Sequence, residues 1–512
     1  MTEITRPSAV SEVVAPATVL AATVAVLGLV LVGPSSATAF IVLAVALLAL
    51  TAFAASRWPR ATLVVAALTT LLDPVVAPRL APPGMTLDVI GISEPLLAAA
   101  GIVVFVRTAR RGGLRRALGD PTAPLVVAFV GLAAISAALN GTPPGVAAFG
   151  VLMTIDAIAA YFLWRMLPQS LGSSGLAAAG IVAGAVVVSL VGIGQVLLDP
   201  TLLGFVSQQA YEDIRPITSI LGNPNMVAMV LAFAAPFPIF GAVRLKTRRH
   251  RWLAAAAAFI ILLGLALTFS RGGWVAAAAG LGIGTLLLDR RALLLAVALS
   301  ALAWGTVLLM PVGLLIAESQ PLAPAASPAP AADAPSPSPQ PDPSPSDDPT
   351  VDAFKGMSSN EVRLLLLRDG LRIIDDHRLF GVGPGRYGGA AAAIFPSPVY
   401  ADYDTTLGHL RTVHNFWLHL TGEVGALGVA VFLGIVVALA IRFVLSARTA
   451  TGPRFVMLAG CATAVIVVVV HNFTEMSLEG NVPGILIWLT LGIGSTFAHA
   501  SLRPVQHRRV DD

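Results

Sequence analysis

Apolar runs about as long as a membrane span follow one another along most of the chain, with short polar turns between them. A helix needs about 20 mainly apolar residues to cross the hydrocarbon core of a bilayer. Segments that meet this requirement are 17–33, 37–55, 61–77, 89–106, 123–140, 146–166, 174–198, 225–243, 252–269, 273–288, 292–316, 415–444, 455–470 and 483–499. The pattern predicts an all-α polytopic membrane protein with about 14 transmembrane helices. Its weakest division is at 252–288, where only Ser270, Arg271 and Gly272 separate two short runs.

Basic residues are distributed unevenly between alternate turns of this pattern. With the N-terminus in the cytoplasm, the segments on the inner side carry 22 Lys and Arg residues, and the short segments on the outer side carry three. The other seven lie in one long outer loop, and long loops do not count in the positive-inside rule. The bias would invert downstream of any missed or invented span, so it predicts that both termini are cytoplasmic.

One polar stretch, between the eleventh and twelfth predicted spans, is much longer than the others. Its first part, 317–350, is rich in Pro, Ala and Ser, a composition that cannot form a core and predicts a disordered tether. Its second part, 351–414, contains a capping-box pattern at Ser358 and Glu361 that predicts a helix. The predicted division is a cytoplasmic tail at 1–16, eleven spans in 17–316, the tether at 317–350, an ordered extracytoplasmic loop at 351–414, three spans in 415–499 and a cytoplasmic tail at 500–512.

The predicted loop helix has an apolar face and a polar remainder. Its apolar face is formed by Leu364, Leu365, Leu367, Leu371 and Ile374, while Arg363, Arg368, Arg372 and Asp375 project elsewhere. Such a helix is expected either to lie in the outer membrane interface or to cap the bundle.

Composition supports the membrane class and narrows the function. The 512 residues are 56% hydrophobic and 12% charged, whereas soluble domains carry about 25% charged residues. The basic pI of about 9.6 does not indicate nucleic-acid binding, because the basic residues occupy short turns between apolar runs, as orientation signals do. The single cysteine, Cys461, allows no intrachain disulfide and no cysteine-rich metal site.

Polar motifs stand at the ends of three predicted spans, all on the outer side. Arg215-Pro216 is followed by the GNPN sequence at 222–225, and an SRGG turn separates the ninth and tenth spans. His414-Asn415 begins the twelfth span, with Glu423 about two turns deeper. Because ionisable groups near lipid are usually functional, their shared side predicts a site at the outer boundary.

The sequence here resembles the O-antigen ligase and O-antigen polymerase family of bacterial polysaccharide assembly. The resemblance covers roughly 150–500 and is carried by the Arg-Pro…GNPN segment, the SRGG turn, the GVGPG sequence after Arg363, and HNFWLHLTGEVGALG. It implies a membrane glycosyltransferase that uses a glycan on undecaprenyl diphosphate, needs no cofactor or metal, and acts on the outer face of the inner membrane. By this resemblance, Arg215 and Arg271 correspond to arginines that contact the diphosphate, and His414 to an essential loop histidine.

The residue types fit such chemistry. Arginine binds phosphate bidentately and stays charged, and a histidine can accept the proton of an attacking hydroxyl near neutral pH. We therefore expect His414 to act as base and the reaction to invert the anomeric centre. Further candidates for substrate binding are Arg363, Arg386, Asn223, Asn225, Ser270, Asn415 and His471, and candidates for structural support are Glu423, Gly383 and Gly385.

Two other classes of function remain open at this stage. A flippase for lipid-linked sugars also needs cationic groups, but we expect those to run through the depth of the bundle. A non-catalytic scaffold of an envelope synthase would tolerate the loss of His414. The acceptor, a lipid or a growing polysaccharide, is not readable from the sequence.

Overall fold

The computed structural model describes residues 37–74, 93–109, 111–168, 171–199, 202, 216–311, 359–388, 390, 413–478 and 482–499. Regular secondary structure in these ranges is entirely helical. The helices are α1 (Ala37–Arg57), α2 (Pro59–Thr69), α3 (Ser93–Ala109), α4 (Gly113–Leu118), α5 (Ala123–Leu139), α6 (Pro144–Met166), α7 (Leu171–Leu197), α8 (Pro224–Ala234), α9 (Pro236–Arg244), α10 (Arg248–Leu267), α11 (Arg271–Leu288), α12 (Arg290–Leu309), α13 (Ser359–Asp376), α14 (Phe416–Arg448), α15 (Gly452–His471) and α16 (Val482–His499).

Many of these helices can cross a membrane. Eight segments of the described chain are long and apolar enough by length and composition: α6, α7, α8 together with α9, α10, α11, α12, α14 and α15. The protein is therefore a multi-pass membrane protein. Helices coincide with the predicted spans except 17–33, which lies outside the described residues, and the total of fourteen stays a prediction. At the weakest predicted division the chain does break, because α10 ends at Leu267 and α11 begins at Arg271.

Basic side chains meet at one end of the bundle, which we call the basic end. Asp120, in the turn between α4 and α5, is bound by Arg165 of α6 at 2.9 Å and by Arg442 of α14 at 3.0 Å. At the same end of α9 and α11, Arg244 pairs with Asp289. Segments that the charge count assigns to one side of the membrane are thus in contact with one another.

Neighbouring charges and burial shift the pKa of Asp120 in opposite directions. Its side chain is fully buried, and burial alone raises the pKa of a carboxyl. The guanidinium groups of Arg442 and Arg165, together with hydrogen bonds from Thr122, outweigh that effect and hold the pKa of Asp120 below its ordinary value. The carboxylate is therefore the stable form at the basic end.

Helices α11 and α15 pack closely because small residues face the partner helix. A methyl group on Gly280 would lie 2.3 Å from a side-chain carbon of Val467, and one on Gly284 would lie 2.2 Å from Thr463 Oγ1. Small residues four positions apart allow such close approach between helices in a membrane protein. This packing places the start of α11 beside the end of α15.

Helix α13 packs on α14 through a different face from the leucine face described above. Leu366 and Ile373 are buried and join Val382, Tyr387 and Val413 in a small second core. The predicted leucine face points away from this core, since the side chains of Leu364, Leu367 and Leu371 are exposed. Of the two expected placements, the helix therefore caps the bundle with one face and leaves the leucine face outside.

Candidate active site

Three of the helices that begin at the end opposite the basic end have a start capped by a side chain. Asn223 accepts hydrogen bonds from the backbone N–H groups of Asn225 and Met226 at the start of α8. Ser270 caps α11 through the N–H of Gly273, and Asn415 caps α14 through that of Leu418. Capping satisfies some of the free N–H groups of a helix start, and the helix dipole leaves positive potential there.

Glu475, four residues beyond the end of α15, is the centre of the polar contacts at this end. Its Oε1 accepts a hydrogen bond from Asn225 Nδ2 at 2.6 Å and pairs with Arg363 of α13 at 3.1 Å. Its Oε2 lies 3.6 Å from Nδ1 of His414. One carboxylate thus joins the starts of α8 and α14 to the loop helix α13. We call Glu475 with Asn225, Arg363 and His414 the Glu475 group.

The SRGG turn is hydrogen-bonded to the Glu475 group through Asn225. The hydroxyl of Ser270 donates to Asn225 Oδ1 at 2.7 Å. Arg271 is the first residue of α11 and is exposed. Gly272 touches the segment that carries Glu475, because a methyl group there would lie 2.3 Å from Thr474 Oγ1. Arg271 is therefore held between two residues fixed against this group.

The backbone of His414 is strained and firmly anchored. Its φ of +51° lies in the left-handed region, which non-glycine residues rarely adopt and which costs about 1–3 kcal/mol. Two residues later, the N–H of Phe416 donates to the carbonyls of Asn472 at 2.9 Å and Glu475 at 3.2 Å. The imidazole remains half-exposed. These bonds hold the His414 turn against the segment that follows α15.

The GVGPG turn lies beside a break in α14. Gly425 has φ +72° and ψ 178°, values that no helix contains. The chain from Gly381 to Gly385 lies alongside this break, with N–H groups of Val382 and Gly383 bound to the carbonyls of Gly422 and Glu423. The Glu423 carboxylate accepts from the N–H of Gly385 at 2.9 Å. Glu423 thus bonds the Gly-rich turn rather than the Glu475 group.

The helix pair α5–α6 closes the other side of the Gly-rich turn. Asn140 donates to the carbonyl of Gly381 at 2.9 Å, and Arg386 donates to the carbonyl of Asn140 at 2.8 Å. Gly150 of α6 touches the turn directly, since a methyl group there would overlap the backbone N of Gly385 at 2.2 Å. The turn is therefore fixed on both sides by hydrogen bonds and close contacts.

The sequence candidates fall into separate places. Arg271, Ser270, Asn225, Arg363 and His414 are brought together around Glu475 or lie in chain continuity with that group. Arg386, Glu423, Gly383 and Gly385 belong to the Gly-rich turn. Asn223 and Asn415 cap helices that start at the group. Arg215 lies outside the described residues.

His471 is fully buried, and its Nδ1 lies 3.1 Å from the hydroxyl of Ser477. Through this contact it supports the turn that leads to Glu475. Glu475 lies just beyond the predicted span 455–470 and is not among the site candidates drawn from the sequence. A carboxylate at the predicted outer end of a span is the signal that could have marked it as the centre.

A metal site is not evident in the part of the chain that the structure describes. Within those residues, no group of three or more His, Cys, Asp or Glu side chains could hold an ion. The positive groups at this end are instead arginines and helix starts.

Together, the helices and the polar contacts define a multi-pass membrane protein with a cluster of polar side chains at one end of its bundle. Residues 256–433 match the model of the O-antigen ligase family, and the resemblance seen in the sequence is confirmed over that region. The match implies a glycan-transferring enzyme. The matched region contains Ser270, Arg271, Arg363 and His414, whereas Asn225 and Glu475 lie outside it. No curated protein sequence matches the chain at a significant level.

Proposed function

We propose that this protein is a glycosyltransferase that moves a glycan from undecaprenyl diphosphate to an acceptor hydroxyl. The acceptor is a lipid or the growing polysaccharide. The reaction takes place at the end of the bundle that carries the Glu475 group, on the outer face of the cytoplasmic membrane. The excess of basic residues on the opposite side supports this orientation.

One observation carries the proposal: positive groups from separate parts of the chain converge where a diphosphate would be held. The starts of α8, α11 and α14 meet there, and each helix start favours an anion. Arg271 and Arg363 add guanidinium groups, which bind phosphate through two parallel hydrogen bonds. Arg215 is proposed to join them from the segment before Pro216, by its resemblance to a diphosphate-contacting arginine.

The chemistry assigns one role to each kind of group. The acceptor oxygen attacks the anomeric carbon, and the bond from that carbon to the diphosphate oxygen breaks, so that the electron pair leaves with the diphosphate. Arg271 and Arg215 stabilise the negative charge that grows on the leaving group. His414 accepts the proton of the attacking hydroxyl. Attack opposite the leaving group inverts the anomeric centre.

Metal independence follows from this arrangement as a prediction. Fixed guanidinium groups and helix starts provide the charge stabilisation that a divalent ion gives in many other transferases. Chelator is therefore expected to leave the rate unchanged.

The test uses purified full-length protein with lipid-diphosphate glycan as donor and either acceptor class. We expect wild type to consume the donor, and Arg271→Ala and His414→Ala each to reduce consumption by about a hundredfold or more. Arg378→Ala is the matched control, because among the described residues its exposed guanidinium pairs with exposed Asp375, away from the Glu475 group. Transfer by both site variants at the wild-type rate would indicate a scaffold. Movement of unaltered donor across vesicles without transfer would indicate a flippase.

A further inference from the structure

We propose that Glu475 is the positioning residue of His414, holding its ring so that the nitrogen remote from Glu475 receives the acceptor's proton. This rests on the proposed function, since it assumes that His414 is the base. It adds a residue that lies outside the matched ligase domain.

The two oxygens of Glu475 have different partners. Oε1 is fixed by two donors, Asn225 Nδ2 at 2.6 Å and an Arg363 guanidinium nitrogen at 3.1 Å. Oε2 faces His414 Nδ1 at 3.6 Å, slightly beyond a direct hydrogen bond. Because Oε1 is held from two sides, the carboxylate cannot rotate without losing both bonds, and Oε2 stays aimed at the ring.

Glu475 also fixes the backbone that carries His414. Its carbonyl accepts from the N–H of Phe416, two residues after His414. The strained left-handed conformation of His414 persists only where its surroundings determine it, and this bond is part of those surroundings. Main chain and side chain of one residue therefore act together on the position of the imidazole.

The chemical consequence concerns the tautomer. A neutral imidazole carries its proton on one nitrogen and accepts at the other. A carboxylate beside Nδ1 favours the proton on Nδ1, so that Nε2 is left as the acceptor, and it stabilises the imidazolium formed when the substrate proton arrives. Arg363 balances the negative charge of Glu475, whose side chain is largely removed from solvent. Loop helix α13 thereby contributes to the base through this ion pair.

The decisive variant is Glu475→Gln. Its amide oxygen can still accept from Asn225 and Arg363, while an amide NH2 replaces Oε2 and would donate to Nδ1, favouring the wrong tautomer. We expect kcat to fall by about a hundredfold or more, with the KM for the lipid-linked donor within about twofold of wild type. Asp375→Asn, which neutralises an exposed carboxylate on α13, is the control and should transfer at the wild-type rate.

A double-mutant cycle separates positioning from general support of the fold. If Glu475 acts through His414, adding Glu475→Gln to His414→Ala causes no further loss of rate. If the rate losses of the two single variants multiply in the double variant, the proposal is overturned. A lower donor KM in Glu475→Gln would also overturn it, because it would show that the carboxylate competes with the diphosphate. Should Glu475→Gln fail to fold, Glu475→Asp, which keeps the charge but withdraws it, must reduce kcat without changing KM.

The outcomes also distinguish this inference from the function on which it rests. Transfer by His414→Ala at the wild-type rate would remove the base and with it the proposed mechanism. An inactive His414→Ala beside a fully active Glu475→Gln would leave that mechanism in place and overturn only the role of Glu475.

Discussion

Asn225 and Glu475 are joined by a hydrogen bond of 2.6 Å between Nδ2 and Oε1, although 250 positions separate them in the chain. The other end of the same amide accepts from Ser270 at 2.7 Å. Asn225 therefore connects the residue before Arg271 to the carboxylate that faces His414. The candidate diphosphate and base groups are tied by one side chain.

Replacing Asn225 tests this connection. In Asn225→Asp the donor is lost and a carboxylate faces Glu475, so we expect a larger loss of stability and of transfer than in Asn225→Ala. Leaving part-buried polar partners unsatisfied costs about 1–3 kcal/mol. Thermal unfolding in detergent and donor consumption measure the two effects. Thr306→Val, which removes an exposed hydroxyl that donates to the carbonyl of Leu302 within α12, is the control. Equal stability and equal transfer in Asn225→Asp and Asn225→Ala would contradict the expected repulsion between the two carboxylates.

Substitution of His414 should separate stability from activity. Both His414→Gly and His414→Ala remove the imidazole and should reduce transfer by about a hundredfold or more. Glycine adopts φ +51° without the strain that alanine keeps, so His414→Gly should be more stable than His414→Ala by about 1 kcal/mol. Denaturation midpoints of the two purified variants give the comparison. An alanine variant as stable as the glycine variant would show that the backbone at this position relaxes.

The break in α14 requires glycine at 425. A methyl group there would lie 2.1 Å from the carbonyl oxygen of Leu379, and the φ of +72° disfavours any other residue. We expect Gly425→Ala to destabilise the protein by about 2 kcal/mol or more through strain and overpacking. Gly305→Ala on α12 is the matched control, because nothing lies within 4 Å of its added methyl. Equal melting temperatures for the two variants would refute the close approach.

The contact between α11 and α15 can be tested on two glycines of one helix. Gly284→Ala places a methyl 2.2 Å from Thr463 Oγ1, whereas Gly282→Ala meets no atom within 4 Å. We expect the first to cost about 1–3 kcal/mol and the second to be neutral or slightly stabilising. Transfer activity should fall with the first only, because Arg271 begins the helix that is displaced. A neutral Gly284→Ala would mean that the helices adjust at no cost.

Asp120 predicts a pH dependence of stability at the basic end. Its pKa is lowered in the folded protein, so its contribution is present above the ordinary Asp pKa of about 3.9 and is lost as pH falls through the lower folded value. Asp120→Asn deprives two buried guanidinium groups of their shared carboxylate and should cost about 3–5 kcal/mol at neutral pH. The difference in melting temperature from wild type should shrink as pH falls below 4. A constant difference would contradict the linkage.

The sequence predicts where the helices end better than it predicts which face of a helix packs against its neighbours. The break at Ser270–Gly272 was predictable because a polar Gly-rich turn interrupts two apolar runs. Which face of α13 would pack was not, since Leu366 and Leu367 have the same hydropathy and only the partner surface on α14 makes one buried and the other exposed. Hydropathy records how apolar a segment is, and burial depends on what it meets.

The site could be predicted only where its residues stand out locally in the sequence. His414 and Arg271 depart from the charge pattern of their surroundings, so they could be singled out along the chain. The central position of Glu475 depends on contacts with α8, α13 and the start of α14, which are far apart in sequence. Likewise, nothing local distinguishes Gly425, where the helix breaks, from other glycines in α14; the approach of Leu379 does.

The break at Gly425 divides α14 into a short first piece and a long second one. The first piece follows His414 directly and is bonded to the Gly-rich turn, while the second piece continues toward Arg442 at the basic end. Lipid bilayers differ in thickness, and long helices adapt by changing their inclination. We expect that adjustment to be absorbed where the helical hydrogen bonds are already interrupted, which would shield the imidazole from the mechanical state of the surrounding lipid.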